Sequence, residues 1–154
     1  MFGHHGDRAL GVASVNCLVG QPGQFTEQVM ATHTAWGKQH LKIEAYHWVL
    51  AFGTDELDPG NPEAVSKALE LASTMARLAW LTRQTLLVAQ NDGESGLLHV
   101  HVLVGSVDPL TDRAARGDDM SWTRVAPIQW LAMDQLGMTQ SAKLPTTVEE
   151  AKDR

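Results

Sequence analysis

The stretch GLLHVHVLVGSVDP, residues 96–109, decides the fold because it predicts a long β-strand over residues 97–107. Side chains two positions apart project from the same face of a strand. His99 and His101 therefore share one face. The opposite face carries three valines, which suit a buried core: Val100, Val102 and Val104.

Two further strands are predicted beside this one. The segment QTLLVAQ, residues 84–90, is followed by the turn NDGESG and predicts the first strand of an antiparallel hairpin. The segment LKIEAYHWVLAF, residues 41–52, alternates bulky and small side chains and predicts another long strand. We expect its bulky face, which includes Tyr46, to meet helices, and its small-residue face to carry His47.

Three helices are predicted from apolar spacing and from the residues that begin and end helices. The clearest covers residues 61–80, where Asn61 can cap the first turn. A second covers residues 127–137, with Pro127 near its start. A third covers residues 25–36. Helices and strands therefore mix along the chain.

Together with a short strand or extended segment at residues 9–19, these elements predict an α+β fold. We expect an antiparallel β-sheet with helices packed on one face and the histidine pair on the opposite face. A single domain is expected over residues 1–140, followed by a tail at residues 141–154.

The composition is that of a globular protein, with 44% apolar and 19% charged residues among 154. No apolar run reaches the roughly 18 residues of a membrane helix, so we expect a soluble, cytoplasmic chain with no membrane role. A single cysteine, Cys17, allows neither an internal disulfide nor a cysteine-based zinc site. The net charge of −6 disfavours nucleic-acid binding unless a basic patch or a bound cation is present.

The spacing of His99 and His101 leaves two interpretations open. Neighbouring imidazoles on one strand face can bind a single divalent ion, yet histidines on a half-exposed strand can also be merely solvated. The apolar flanks favour the metal site, since this is not a generic polar strand. Gln90 and Asp92 lie near the same end of the predicted hairpin and are candidate third ligands. His47 could face the same surface, although a lone strand histidine is more often a packing residue.

The order of several motifs resembles the relaxases, which are the mobilisation nucleases of conjugative plasmids and integrated elements. They belong to a nuclease superfamily named for two histidines around a hydrophobic residue. The histidine pair alone is a weak motif, whereas the ordered set is much more specific and extends over residues 15–137. The matching positions are Asn16-Cys17, Met30 with Thr32, Gly37-Lys38, Tyr46-His47 with Phe52 and Glu56, Gln90 with Asp92, and His99 and His101 with Gly105-Ser106-Val107.

The resemblance implies a metal-dependent nuclease for single-stranded DNA. In relaxases a tyrosine near the N-terminus attacks a phosphodiester at a transfer origin, and a divalent ion on three side chains polarises the scissile phosphate. Here it implies Mn²⁺, Mg²⁺ or Zn²⁺ held by His99, His101 and Gln90. Asp92 and His47 are the alternative or supporting ligands. The implied partners are single-stranded DNA at a transfer origin and other conjugation proteins.

Two positions depart from the family pattern. Gln90 stands where the first metal-binding histidine usually stands, and a glutamine amide is a poorer ligand for a transition metal. The nucleophilic tyrosine normally precedes the segment that contains Asn16, yet the only tyrosine is Tyr46, which we expect in the core. The catalytic residue is therefore unassigned, and we expect a truncated chain or one with impaired nicking. His4 and His5 could be proposed as nucleophiles, but a solvated or tag-like pair is expected.

DNA contacts are expected from Lys38, Arg113 and Arg116, which can meet phosphates, and from Trp122, which can stack on a base. The leading hypothesis is a relaxase-type nicking domain. The second is a non-catalytic DNA-binding or regulatory relative that keeps the sheet and loses the chemistry. The third is an unrelated α+β metal hydrolase that uses the histidine pair, a carboxylate and an activated water.

Overall fold

The computed structural model describes residues 9–19, 21–53, 56–93 and 96–138, so the N-terminal histidine pair and the predicted tail lie outside it. Four strands within these ranges form one sheet: β1 (Gly11–Val15), β2 (Ala45–Phe52), β3 (Thr85–Gln90) and β4 (Leu98–Gly105). They are joined by helices α1 (Pro22–Ala35), α2 (Pro62–Ala79) and α3 (Trp122–Gln135), and by a short 3₁₀ helix (Gly117–Met120). None of the described helices is both long and apolar enough to cross a membrane. The predicted α+β class with an antiparallel sheet is confirmed.

The strands lie in the order β1-β3-β4-β2, and each neighbouring pair is antiparallel. The predicted hairpin of β3 and β4 therefore occupies the centre of the described sheet, and β1 and β2 are its edges. In the register of the ladder, Gln90 lies opposite His99, and Val49 lies opposite His101. This register places β4 between the two strands that carry the other candidate ligands.

Helices α2 and α3 contribute to one core with one face of the sheet. Asn61 begins α2 as predicted, because its side-chain oxygen accepts a hydrogen bond of 3.0 Å from the Glu63 N–H. Gly11 allows α2 to approach β1 closely, since a Cβ at that position would lie 2.8 Å from the Leu69 side chain. The residues of α2 that are wholly buried include Ala68, Leu71, Ala72, Met75 and Ala76. The three predicted core valines of β4 are wholly buried in the same cluster.

Helix α1 packs on the opposite face, which also carries the histidine pair, so the predicted layer of helices on one face describes α2 and α3 but not α1. Phe25 and Val29 of α1 form a second core cluster with Leu86, Val88 and Leu103 of the sheet. The physical reason lies in β3, where all six residues are buried and both faces carry apolar side chains. A strand that is apolar on both faces needs a covering element on each of them.

Helix α3 begins earlier than the sequence indicates. It covers Trp122–Gln135, so Pro127 lies inside the helix and not near its start. A proline there lacks the N–H that would bind the carbonyl oxygen of Thr123. The helix still forms because Val125 and Ala126, immediately before the proline, are buried in the core. Tertiary packing therefore overrides the local proline signal.

Candidate metal centre

Three histidines lie close together on the sheet face that carries α1. His99 and His101 belong to the central strand β4, and His47 belongs to the edge strand β2. Further along β4 the same face is covered by α1, where Val29 belongs to one cluster with Leu103. His99 and His101 are partly buried and His47 is exposed, so the histidines border a surface that solvent can reach.

His47 and His101 share a hydrogen bond across the β2–β4 ladder. The His47 Nε2 and His101 Nδ1 atoms are 2.8 Å apart, and the two rings stack with centroids 5.1 Å apart and planes at 19°. A neutral imidazole has one N–H and one lone pair, so one of these two nitrogens donates and the other accepts. The two nitrogens are therefore directed at each other across the ladder.

The ring of His99 is oriented by the backbone of its own strand. Its Nδ1 lies 3.1 Å from the Leu97 carbonyl oxygen, and because a carbonyl can only accept, Nδ1 carries the proton. The other nitrogen, Nε2, lies 3.8 Å from a carboxylate oxygen of Asp92. The His99 and His101 rings meet edge to face with centroids 5.0 Å apart. Histidines that bind metals commonly donate their second nitrogen to a carbonyl in this way.

The candidate third ligands differ in their exposure to solvent. Gln90 lies opposite His99 on β3 and is only 3% exposed. Asp92 is exposed and lies beside the His99 ring, while His47 is exposed and contacts His101 directly. The structure thus brings all three candidates near the pair, and the ring of His47 is the one that forms a hydrogen bond with it, at His101.

Partial burial favours the neutral form of two of the imidazoles. Burial lowers the pKa of His47 below its ordinary value. Burial also lowers the pKa of His101, and the neighbouring His99 and His47 lower it further. The neutral form is the one that binds a metal ion, because a protonated ring has no lone pair left to donate.

The donor set fits a divalent ion only in part as it stands. Among the residues that the structure describes, no three His, Cys, Asp or Glu side chains already surround one point as a complete metal site. Two ligand nitrogens of a tetrahedral ion, each about 2.1 Å from it, lie about 3.4 Å apart. The His47–His101 separation of 2.8 Å is shorter than that, so the two rings form a hydrogen bond and not a ready pair of ligands.

The basic residues predicted to meet DNA lie away from the histidines. Arg113 and Arg116 belong to the exposed segment that follows β4, whereas His99 lies near the start of that strand. Lys38 follows α1, and its N–H donates to the carbonyl oxygen of His33, which contacts the same end of β4. The structure therefore groups these three cations at one end of the sheet.

Trp122 lies on the other side of the sheet from the histidines. It begins α3, and its ring stacks on that of Trp48 with centroids 6.3 Å apart. Trp48 is the neighbour of His47 in β2, and its side chain therefore projects from the opposite face. This placement does not bring the Trp122 ring together with the histidines.

Tyr46 also projects from the face opposite His47, because the two residues are neighbours in β2. Its hydroxyl donates a hydrogen bond of 3.3 Å to the Ala115 carbonyl oxygen. The side chain is partly buried beneath the segment that follows β4. The tyrosine therefore has a structural contact and is turned away from the three histidines.

The polar side chains of Asn16 and His33 connect neighbouring elements of the fold. Asn16 adopts a positive φ of 59°, and its amide donates to the carbonyl oxygens of Leu81 and Arg83 at 2.8 and 3.0 Å. His33 is 1% exposed and bonds to Val29 and Ser106. The helical spacing of Phe25, Val29 and His33 could have indicated that this histidine faces the core.

A family model described as the MobA/VirD2-like nuclease domain of relaxases matches residues 4–129. The matched range covers most of the chain and contains His47, His99 and His101. Neither a search among curated proteins nor a search among solved structures finds a match.

Proposed function

We propose that this chain, which belongs to the MobA/VirD2-like family of relaxase nuclease domains, binds single-stranded DNA at a transfer origin with its histidine face. Family membership supports DNA nicking in mobilisation as the class of activity. The observation that carries the finer proposal is the convergence of His47, His99 and His101 on one accessible part of the sheet. In this proposal the scissile phosphate lies against a divalent ion on those side chains.

His99 and His101 would hold the ion, with Gln90, Asp92 and His47 as the candidate further partners. A bound Mn²⁺, Mg²⁺ or Zn²⁺ supplies positive charge that polarises a phosphate oxygen. The protein itself contributes orientation, since the Leu97 carbonyl fixes the His99 ring. Burial also lowers the pKa of His47 and His101 and so favours their neutral forms.

The negative net charge of the chain supports a role for the bound divalent ion in DNA binding. The net charge is −6, so phosphates meet an overall repulsive protein unless positive charge is concentrated locally. Lys38, Arg113 and Arg116 lie at the end of β4 away from His99.

A second candidate function is supported by the position of Tyr46. Its hydroxyl is directed at the Ala115 carbonyl oxygen, on the face of β2 opposite His47. A nucleophile has to lie within about 3 to 3.5 Å of the reacting phosphorus, in line with the leaving group. This chain would then bind and polarise the phosphate without forming a phosphotyrosine bond, as a non-catalytic DNA-binding relative of relaxases.

One experiment separates the two functions. The chain is incubated with a fluorescent single strand that carries the transfer origin of its own genetic element, with Mn²⁺ or with EDTA. A covalent adduct on a denaturing gel supports nicking, and a mobility shift without an adduct supports the non-catalytic function. We expect the shift to weaken in EDTA and in a His99→Ala/His101→Ala variant. Metal-independent binding that the double variant retains would contradict the proposed role of the histidine face.

A further inference from the structure

We propose that Trp36, at the C-terminal end of α1, stacks on a base of single-stranded DNA at the end of the sheet away from His99. This inference rests on the proposed function, since it adds a second contact to the same strand of DNA. The contact surface consists of residues 36–43 and 106–113, which lie side by side at the end of β4. We call it the Trp36 surface.

The indole ring of Trp36 is exposed but held in place. Its Nε1–H donates a hydrogen bond of 3.1 Å to the Pro109 carbonyl oxygen, and the residue remains 44% exposed. The hydrogen bond limits the side-chain freedom that the ring would lose on binding a ligand. Within the described part of the chain, this ring stacks on no other aromatic side chain. A base can therefore stack on it without displacing another ring.

Two aliphatic side chains of the Trp36 surface are also open to solvent. Ile43 is 50% exposed and Leu110 is 71% exposed. The Ile43 carbonyl oxygen accepts a hydrogen bond of 2.7 Å from the Ser106 hydroxyl, and Leu110 directly follows Pro109. Both therefore border the junction where Trp36 is held. Exposed apolar groups gathered in one region are typical of a binding surface.

The charges of this region favour a nucleic acid as the ligand. Its cations are Lys38, Lys42, Arg83 and Arg113, and its carboxylates are Glu44, Asp108 and Asp112. Asp108 is only 8% exposed, because its carboxylate accepts from the Thr82 hydroxyl and the Leu110 N–H. Positive charge is thus in excess here, although the chain as a whole carries −6. An aromatic ring beside cations suits single-stranded DNA, whose bases stack and whose phosphates bind lysine and arginine.

Trp122, predicted from the sequence to stack on a base, is the competing candidate. It is 37% exposed, but its ring already stacks on that of Trp48. Trp36 instead ends the helix that covers the histidine-bearing face of the sheet. Along β4 the distance from His99 to Ser106 is roughly 24 Å. The base at Trp36 therefore belongs to a different nucleotide from the one at the histidine face.

The test is binding of a fluorescein-labelled oligomer of thymidine, about 20 nucleotides long, to the full chain with Mn²⁺ present. Stacking tolerates any base, so this probe does not require the origin sequence. Anisotropy is measured at several salt concentrations for the wild type and for Trp36→Leu, Trp36→Phe and Trp122→Leu. Leu131→Ala is a control at an exposed apolar residue of α3. An abasic oligomer of the same length reports the phosphate contacts alone.

We expect Trp36→Leu to weaken binding of the thymidine oligomer by about 5- to 100-fold, the effect of losing one base–aromatic stack. Trp36→Phe should weaken it less, while Trp122→Leu and Leu131→Ala should bind as the wild type does. The abasic oligomer should bind equally to the wild type and to Trp36→Leu. The salt dependence should also be the same for these two proteins, because the substitution removes no charge. Trp36 is exposed at a helix end, so its variants should fold, and thermal unfolding checks this.

Three results would overturn the inference and leave the proposed function in place. The first is full binding of the thymidine oligomer by Trp36→Leu, which would make the exposed apolar residues a surface for a protein partner instead. The second is an equal loss for the thymidine and abasic oligomers. The third is loss of binding in Trp122→Leu with full binding in Trp36→Leu. A wild-type chain that binds neither this oligomer nor a strand that carries the origin would contradict both the inference and the proposed function.

Discussion

The imidazole of His33 and the hydroxyl of Ser106 lie 3.1 Å apart, and this contact joins α1 to the end of β4. The other ring nitrogen donates to the Val29 carbonyl oxygen at 2.8 Å, and the Ser106 hydroxyl reaches the Ile43 carbonyl oxygen at 2.7 Å. The histidine is 1% exposed. The His33–Ser106 contact thus links α1 to the end of β4 and, through the Ser106 hydroxyl, to the segment before β2.

Replacing His33 by alanine should destabilise the fold because it removes a buried ring and its hydrogen bonds. We expect a loss of about 2 to 4 kcal/mol in the free energy of unfolding, measured by urea denaturation. His40→Ala, at an exposed histidine, should change it by less than about 0.5 kcal/mol. Equal stability of the two variants would show that the His33–Ser106 contact contributes nothing to the docking of α1.

Replacing Asn16 should destabilise the fold for two reasons, its backbone conformation and the hydrogen bonds of its side chain. Its positive φ of 59° favours asparagine or glycine, and its amide donates to two carbonyl oxygens, those of Leu81 and Arg83. Asn16→Ala should lower the free energy of unfolding by about 1 to 2 kcal/mol, and Asn16→Gly by about 1 kcal/mol less than that. Asn16→Asp keeps the shape but cannot donate, so it isolates the hydrogen bonds. An alanine variant as stable as the wild type would remove this explanation of the Asn16-Cys17 motif.

Tyr46→Phe should leave DNA chemistry unchanged, because the hydroxyl is turned away from the histidines. The loss of its bond to the Ala115 carbonyl oxygen should cost about 0.5 to 1.5 kcal/mol of stability, measured by thermal or urea unfolding. Adduct formation with an origin-bearing single strand is measured in parallel. If the wild type forms an adduct that the phenylalanine variant does not form, the placement of this tyrosine is wrong.

Acid should destabilise the chain in part through Asp119. The Arg116 N–H, which donates to this carboxylate at 2.8 Å, lowers its pKa, and Arg83 and Arg124 lower it further. The folded-state pKa is thus below the unfolded value of about 3.9, so the stabilisation is present above that pH and is lost as pH falls through the folded pKa. The carboxylate is largely solvated, so we expect less than about 1 kcal/mol.

The measurement for Asp119 is the thermal midpoint between about pH 2 and pH 6, a range that extends to both sides of the ordinary aspartate pKa of about 3.9. The wild type should lose more stability than Asp119→Asn as the pH falls through the acidic end of this range. Parallel curves for the two proteins would mean that the Arg116 contact does not change the ionisation of this side chain.

The sequence predicted those features that depend on local pattern. The alternation of side chains around His99 and His101 depends on the sequence of one strand alone. The helix that begins after Asn61 has both a capping residue and an apolar stripe. The start of α3 was missed because a proline usually marks the beginning of a helix, whereas burial of Val125 and Ala126 decided this one.

The partners of the histidine pair could not be chosen from sequence. Gln90, Asp92 and His47 were all admissible, because local patterns do not say which strands become neighbours. The choice depends on the order β1-β3-β4-β2, which places β2 and β3 on either side of β4. The same order explains why the face that α1 covers could not be predicted. Helix α1 packs on Leu86 and Val88, which project from the other side of β3.

The register of β2 decides which functional group the histidine face presents. This strand is an edge strand, held in the described sheet by β4 alone, and Tyr46 and His47 are adjacent in it. A slip of one residue would exchange the faces of all its side chains, bringing a phenol to the histidines and an imidazole to the helical core. The burial of Leu50 and Phe52 opposes that slip. The apolar core on one side of the sheet therefore determines whether an imidazole or a phenol lies on the other side.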